Sequence, residues 1–198
     1  YATVASTLDG AAGVSGLEIN ISCPNLKEGG MAFGTDPATT DRVVSAVRKV
    51  TDLPLIVKLS PNVTDITKIA RAAEEAGADA LSLINTLSGM LIDINTGKPK
   101  LGNVFGGLSG PAIFPVALKM VWQCAEAVNI PILGMGGVVS AENVIQMIMA
   151  GARSVGIGTA IFYDLTLPDA ILDGLKNFMV QRGYSDFSQL EGLARKGD

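Results

Sequence analysis

Ile130-Pro131-Ile132-Leu133-Gly134-Met135-Gly136-Gly137 opens the stretch that decides the fold, and Gly151-Ala152-Arg153-Ser154-Val155-Gly156-Ile157-Gly158-Thr159 closes it. The runs Ile130 to Met135 and Ser154 to Thr159 are short, apolar and free of polar alternation, as expected of parallel strands covered on both faces. Between them, Ala141 to Ala150 repeats apolar residues at three- and four-residue steps, the pattern of an amphipathic helix. Ser140 is a suitable N-cap, and Gly151 stands where a left-handed residue closes a helix. Strand, helix and strand in this order make one βα unit and the start of the next.

Working outward, three further short runs rich in Val, Ile and Leu also read as buried parallel strands: Leu17 to Ser22, Leu55 to Ser60 and Ala80 to Thr86. Helical patterns fall between them, at Thr40 to Val50, Asp65 to Ala76 and Ile113 to Val128, with Thr64 as a candidate N-cap and Gly77 as a closing glycine. Ala76-Gly77-Ala78-Asp79 and Ala150-Gly151-Ala152-Arg153 repeat one phrase just before a strand, as stacked βα units would. The alternation predicts an α/β fold. Two glycine-rich segments exceed what a bare βα unit needs, Pro24 to Pro37 and Leu87 to Pro111. Both follow the carboxyl end of a strand, the side on which α/β proteins build sites.

Sequential βα units point to the (β/α)8 TIM barrel family, but a closed barrel needs eight strands and typically ~250 residues. The 198 residues carry five such runs. The expectation is a partial barrel of about five βα units, residues 1–198 being the C-terminal portion of a single barrel domain that lacks its opening units. An open doubly wound sheet is the alternative, but no G-x-G-x-x-G turn leads from the first strand into a helix.

Composition narrows the function. Formal net charge is −4, sequence pI is about 4.8, and no basic stretch exceeds Arg48-Lys49, which argues against nucleic acid. Mean hydropathy is +0.38, yet no apolar run reaches the ~18 residues of a membrane-spanning helix. Histidine is absent and only Cys23 and Cys124 are present, which excludes a Ser-His or Cys-His pair and predicts no metal site. With no export signal in view, a reducing, cytoplasmic location is expected. Glycine, at 23 of 198 residues, is the outlying component and favours loops that bring backbone close to a ligand.

Several residues carry chemistry. Cys23 follows the strand Leu17 to Ser22 within Asn20-Ile21-Ser22-Cys23-Pro24-Asn25, where a thiolate could act as a general base; the other reading is a buried structural cysteine. Alternation places Glu18, Asn20 and Ser22 on one face of that strand. Cys124 shares a helical face with Ala117, Val121 and Val128 and reads as core. Lys58, the only charge in its strand, needs an anionic partner, a cofactor group or a salt-bridging carboxylate, and a Schiff base with a carbonyl substrate is the rival chemistry. Gly136-Gly137 and Gly158-Thr159 end the last two strands, the places where barrels commonly bind phosphate, although such glycines also serve tight turns. Gly106-Gly107-Leu108-Ser109-Gly110-Pro111 borders the same region, and Asn85-Thr86 offers amide and hydroxyl groups to a planar polar ring.

Taken with Val57-Lys58-Leu59-Ser60-Pro61-Asn62 and Ile84-Asn85-Thr86, these motifs resemble dihydroorotate dehydrogenase over nearly the whole chain and in the same order. Lys27-Glu28-Gly29-Gly30 and Phe33-Gly34-Thr35-Asp36-Pro37 are similar to the class 1B, NAD-linked catalytic subunit. The resemblance implies an FMN enzyme that oxidises dihydroorotate to orotate in pyrimidine synthesis. It implies Cys23 as the base that takes the C5 proton while hydride passes from C6 to FMN. Asn20 would touch both flavin and substrate, and Asn25, Asn85 and Thr86 would touch the substrate. Lys58, Ile84 and Gly110 would line the flavin, Gly136, Gly137, Gly158 and Thr159 would hold its phosphate, and Lys27 to Pro37 would form a lid. A homodimer is implied, paired with an iron-sulfur flavoprotein that carries FAD, the cluster and the NAD site. The competing readings are a phosphate-binding barrel aldolase with Lys58 as Schiff base, and an inactive assembly fragment.

Overall fold

The computed structural model describes residues 1–22 and 33–196. Its main sheet holds five parallel strands: β1 (Leu17–Asn20), β2 (Leu55–Lys58), β3 (Ala80–Leu83), β8 (Ile132–Met135) and β9 (Ser154–Gly156). Their spatial order is the chain order, β1-β2-β3-β8-β9, with no reversal. A doubly wound sheet reverses its strand order and covers both faces with helices. Here burial alternates along β1, β2 and β8, so one face is covered and the other is open. The sheet is an arc of an α/β barrel.

The covered face is built from Leu17, Ile19, Leu55, Val57, Leu81, Leu83 and Ile132, all buried. Against it pack α2 (Pro37–Arg48), α3 (Ile66–Glu75), α4 (Phe114–Ala127) and α5 (Ala141–Met149), each crossing from one strand to the next. A further helix, α1 (Ala2–Leu8), precedes β1. The open face carries Glu18, Asn20, Ile56, Lys58 and Leu133, a mixed set suited to the inside of a barrel near its mouth.

Local chemistry sets the helix ends. α2 starts earlier than the apolar periodicity indicates because Asp36 caps it, accepting from the Thr39 N–H at 2.8 Å, and Pro37 follows with its φ already helical. At α3 the cap is Asp65 rather than Thr64, accepting from the Thr67 N–H at 3.0 Å. Ser140 caps α5 as expected, and Gly77 and Gly151 take φ of +98° and +114° just beyond their helices. At the amino end of the sheet the Arg48 guanidinium donates to Asp79 Oδ2 and to the Leu53 carbonyl, both at 2.8 Å, and the same Asp79 oxygen accepts from the Leu55 N–H.

Two features lie outside the sequence reading. Residues 87–108 form an excursion with two antiparallel ribbons, β4 (Leu87–Gly89) with β7 (Gly106–Leu108) and β5 (Ile92–Asp93) with β6 (Lys98–Pro99). Strands of two or three residues are too short to show periodicity. After β9 comes α6 (Leu167–Arg182), whose buried residues are only Ile171 and Leu175, so its apolar stripe is thin.

Candidate active site

The carboxyl ends of the five strands surround two adjoining chambers. The first, of about 260 Å3, is walled by Lys58 from the end of β2, Ile84 beyond β3 and Gly110 at the end of the excursion. Gly136 and Gly137 beyond β8, and Gly158 and Thr159 beyond β9, complete its rim. The second, of about 280 Å3, lies between the end of β2 and the root of the excursion, lined by Ser22, Ser60, Asn62, Ser88 and Gly107. Asn85 and Thr86 line both, so the chambers meet there.

Backbone shapes the first chamber. Gly137 has φ +73°, and a Cβ on it would lie 2.7 Å from both the Gly110 carbonyl oxygen and the Phe114 nitrogen, so no other residue fits. Gly136, at φ +124°, would drive a Cβ to 2.9 Å from Ala117. At Gly158 the space is open. The amides of Gly137, Gly158 and Thr159 donate to nothing among the described residues. Thr159 Oγ1 donates to Ser109 Oγ at 2.9 Å, fastening this rim to the end of the excursion.

Side chains shape the second. Asn20 Oδ1 accepts from Ser22 Oγ at 2.6 Å, from the Ser22 N–H at 3.2 Å and from Asn85 Nδ2 at 3.2 Å. The same Asn85 nitrogen donates to Ser22 Oγ, and Asn85 Oδ1 accepts from the Thr86 N–H at 2.7 Å. Asn20 thus lines neither chamber and instead orients two residues that do. Cys23 and Asn25 lie outside the described residues, as do Lys27 to Ala32 of the expected lid.

Lys58 meets a carboxylate: its Nζ is 3.8 Å from Glu18 Oε1, an ion pair too long for a hydrogen bond. Its ammonium makes no hydrogen bond among the described residues. In the strand register Lys58 stands level with Asn20 on one side and Ser82 on the other. Ser82 is fully buried and its Oγ has no partner among the described residues. Cys124 is fully buried in α4, and burial pushes its thiol up to about 12, so it is an inert core residue, as its helical spacing indicates. Among the described residues no three His, Cys, Asp or Glu side chains gather as a metal ion requires, and no helix is long and apolar enough to cross a membrane.

The sequence profile of dihydroorotate dehydrogenase matches residues 1–179. The chain belongs to the dihydroorotate dehydrogenase family. It is 54% identical over 196 residues to the "Dihydroorotate dehydrogenase B (NAD(+)), catalytic subunit" of Desulforudis audaxviator, covering 99% of this chain and 64% of that protein. To the protein of the same name from Desulforamulus reducens it is 53% identical, covering 98% of this chain and 64% of the relative. The chain thus spans a little under two thirds of these relatives, and their name implies a separate partner subunit for them. Among solved structures, the dihydroorotate dehydrogenase of Eimeria tenella, crystallised with ferulenol, superposes with a TM-score of 0.76 at 23% identity, covering 93% of this chain and 55% of that one. That likeness shows the barrel fold.

Members of the family use FMN, and the first chamber fits such a group on its own geometry. A phosphate needs unspent donors and close backbone approach, which Gly137, Gly158 and Thr159 present. Positive charge stabilises the polar edge of a flavin, and Lys58 stands on the wall with all three donors free of hydrogen bonds among the described residues. Sequence reasoning did not single out Asn62, Ser109 or the Glu18–Lys58 pair. Asn62 was within reach of the argument used for Cys23, since it too follows the carboxyl end of a strand.

Proposed function

We propose that this chain forms the FMN-binding and substrate-binding part of a dihydroorotate dehydrogenase, oxidising dihydroorotate to orotate in pyrimidine synthesis. The observation that carries the reading is the pair of chambers joined at Asn85 and Thr86. One has backbone donors and a lysine; the other is lined by amides and hydroxyls suited to the carbonyl and N–H groups of a pyrimidine ring. As a domain, residues 1–198 are read as the C-terminal portion of one FMN-binding (β/α)8 barrel.

In this reading Gly136, Gly137, Gly158 and Thr159 hold the phosphate through main-chain and hydroxyl donors. Ile84 and Gly110 pack on the ring, and Lys58 places positive charge at its polar edge. Bound FMN supplies a two-electron acceptor. Asn85 and Thr86, with Asn25, orient the substrate, and the Asn20 carboxamide holds Asn85 and Ser22 in place. Cys23, next in sequence to Ser22, is the base: its thiolate takes the C5 proton as the C6–H electron pair leaves as hydride, forming the C5=C6 bond of orotate. The stretch Lys27 to Pro37 acts as the lid that keeps water out.

The relatives' name supports an NAD-linked system with a separate partner subunit. That this partner carries FAD, an iron-sulfur cluster and the NAD site, and that the location is cytoplasmic, are part of the proposal. A homodimer belongs to the same proposal. It is supported by the excursion between β3 and β8, where Leu91, Ile92, Ile94 and Phe105 are exposed.

The test is anaerobic addition of dihydroorotate to the FMN-loaded protein. Bleaching of the flavin's visible band with one equivalent of orotate formed is expected. No bleaching overturns the reading, and a lysine adduct trapped by borohydride would favour Schiff-base chemistry at Lys58.

A further inference from the structure

Asn62 carries an arrangement that the proposed roles leave unexplained. It lies beyond β2 in Ser60-Pro61-Asn62, and both ends of its carboxamide are engaged with one short piece of chain. Nδ2 donates to the Thr86 carbonyl at 3.0 Å, and Oδ1 accepts from the Ser88 N–H at 2.8 Å. These are the carbonyl before Leu87 and the amide after it. In a parallel sheet, a strand residue bonds its neighbour in this way, donating to the carbonyl of residue i−1 and accepting from the N–H of residue i+1. The Asn62 side chain therefore takes the place of one strand residue along the free edge of β4, whose other edge pairs with β7 at Leu87↔Leu108 and Ser88↔Gly107.

The carboxamide is itself held. Its own backbone N–H and Nδ2 both reach Ser60 Oγ, at 3.2 and 3.3 Å, and Ser60 is buried at the end of the strand that bears Lys58. On the far side, a Cβ at Gly107 would lie 2.3 Å from Thr86 Oγ1, so Thr86 is pressed against β7 with no room to retreat. Residues 86–88 are thus gripped between Asn62 and Gly107, and Thr86 and its neighbour Asn85 line both chambers.

We infer that Asn62 is a positioning residue. It fixes Asn85 and Thr86 relative to the β2 wall, so that the excursion and the Lys58 strand keep one spacing across the two chambers. This rests on the reading of Asn85 and Thr86 as substrate contacts. Asn62 also lines the second chamber, but its carboxamide is engaged with Ser60, Thr86 and Ser88, so it acts through the backbone of residues 86–88 and not on a reacting atom.

The test combines amide hydrogen exchange on the full chain with steady-state kinetics. In Asn62→Ala, exchange of the Ser88 amide rises about 3- to 10-fold, the loss of one hydrogen bond, while the Leu59 amide in the sheet is unchanged. The KM for dihydroorotate rises several-fold with kcat less affected, and FMN affinity stays. Asn62→Asp, of the same size, still accepts from Ser88 but cannot donate to Thr86. It keeps Ser88 protection and still raises KM. Unchanged Ser88 exchange in Asn62→Ala overturns the clamp. Faster exchange with unchanged KM, in a protein where Asn85→Ala does raise KM, overturns the positioning role. If Asn85→Ala also leaves KM unchanged, the substrate reading of that chamber falls and the positioning role with it.

Discussion

At the ends of β8 and β9 the site is walled by backbone, whereas at the ends of β1, β2 and β3 it is walled by side chains that hydrogen-bond one another. The first region has two glycines, Gly136 and Gly137, with no room for a Cβ, and amides with nothing to bond among the described residues. In the second, Asn20, Ser22, Asn62 and Asn85 spend much of their capacity within the protein. A backbone cradle recognises charge and is intolerant of any added carbon. A side-chain network recognises a pattern of donors and acceptors, and is sensitive to exchange of an amide for an acid even at constant size.

The sharpest way to separate the two regions is at Cys23, which follows Ser22 in sequence and which the proposed function makes the base. Cys23→Ala should keep FMN and lower the rate of flavin reduction by dihydroorotate at least ~10²-fold, the scale of general base catalysis. Cys23→Ser should retain some rate with its optimum at higher pH. Near-normal reduction in Cys23→Ala would return the thiol to a structural role.

Lys58 stands on the boundary, shared between the Glu18 carboxylate and the first chamber. If its charge stabilises the reduced flavin, Lys58→Ala should lower the two-electron potential by on the order of 30 mV, or ~1.4 kcal/mol. Glu18→Gln should move it the other way, because the ammonium is then no longer shared. Potentials unchanged in both variants would make the pair purely structural.

An effect on stability rather than on the site lies outside both regions, at Cys124. Burial raises its thiol from 9.0 to about 12 in the folded chain, so the unfolded chain loses that proton first. Its contribution to stability is therefore complete below pH ~9 and is lost as pH rises toward 12. Urea unfolding across that window should show a slope that flattens in Cys124→Ala, by at most about 1.4 kcal/mol per pH unit. An identical slope would show that the thiol is less buried than the fold requires.

The same contrast explains what was legible in the sequence. Ile132 to Met135 and its fellow strands announced themselves as short runs rich in Val, Ile and Leu, although burial alternates along β1, β2 and β8 and only one face of the sheet is covered, not the two that such runs suggested. Glycine pairs after two strands announced the rim because few other uses require them in that order. The excursion hid because its ribbons of two and three residues are set by turns and by Asn62, not by periodicity. The Glu18–Lys58 pair hid because it joins adjacent strands whose register no single run reveals. At Asn20 the sequence suggested contact with flavin and substrate, and the hydrogen bonds that its Oδ1 accepts from Ser22 and Asn85 were not legible, the second because it joins strands far apart in the chain.

The central claim is that a flavin phosphate sits in the backbone cradle, and the most direct measurement is FMN affinity by fluorescence quenching in the unmodified protein and in Gly137→Val. A Cβ at that position would lie 2.7 Å from the Gly110 oxygen and the Phe114 nitrogen. The account predicts saturable FMN binding that weakens at least ~10-fold in the variant while the far-ultraviolet circular dichroism stays the same. Equal affinity in the two proteins would contradict it.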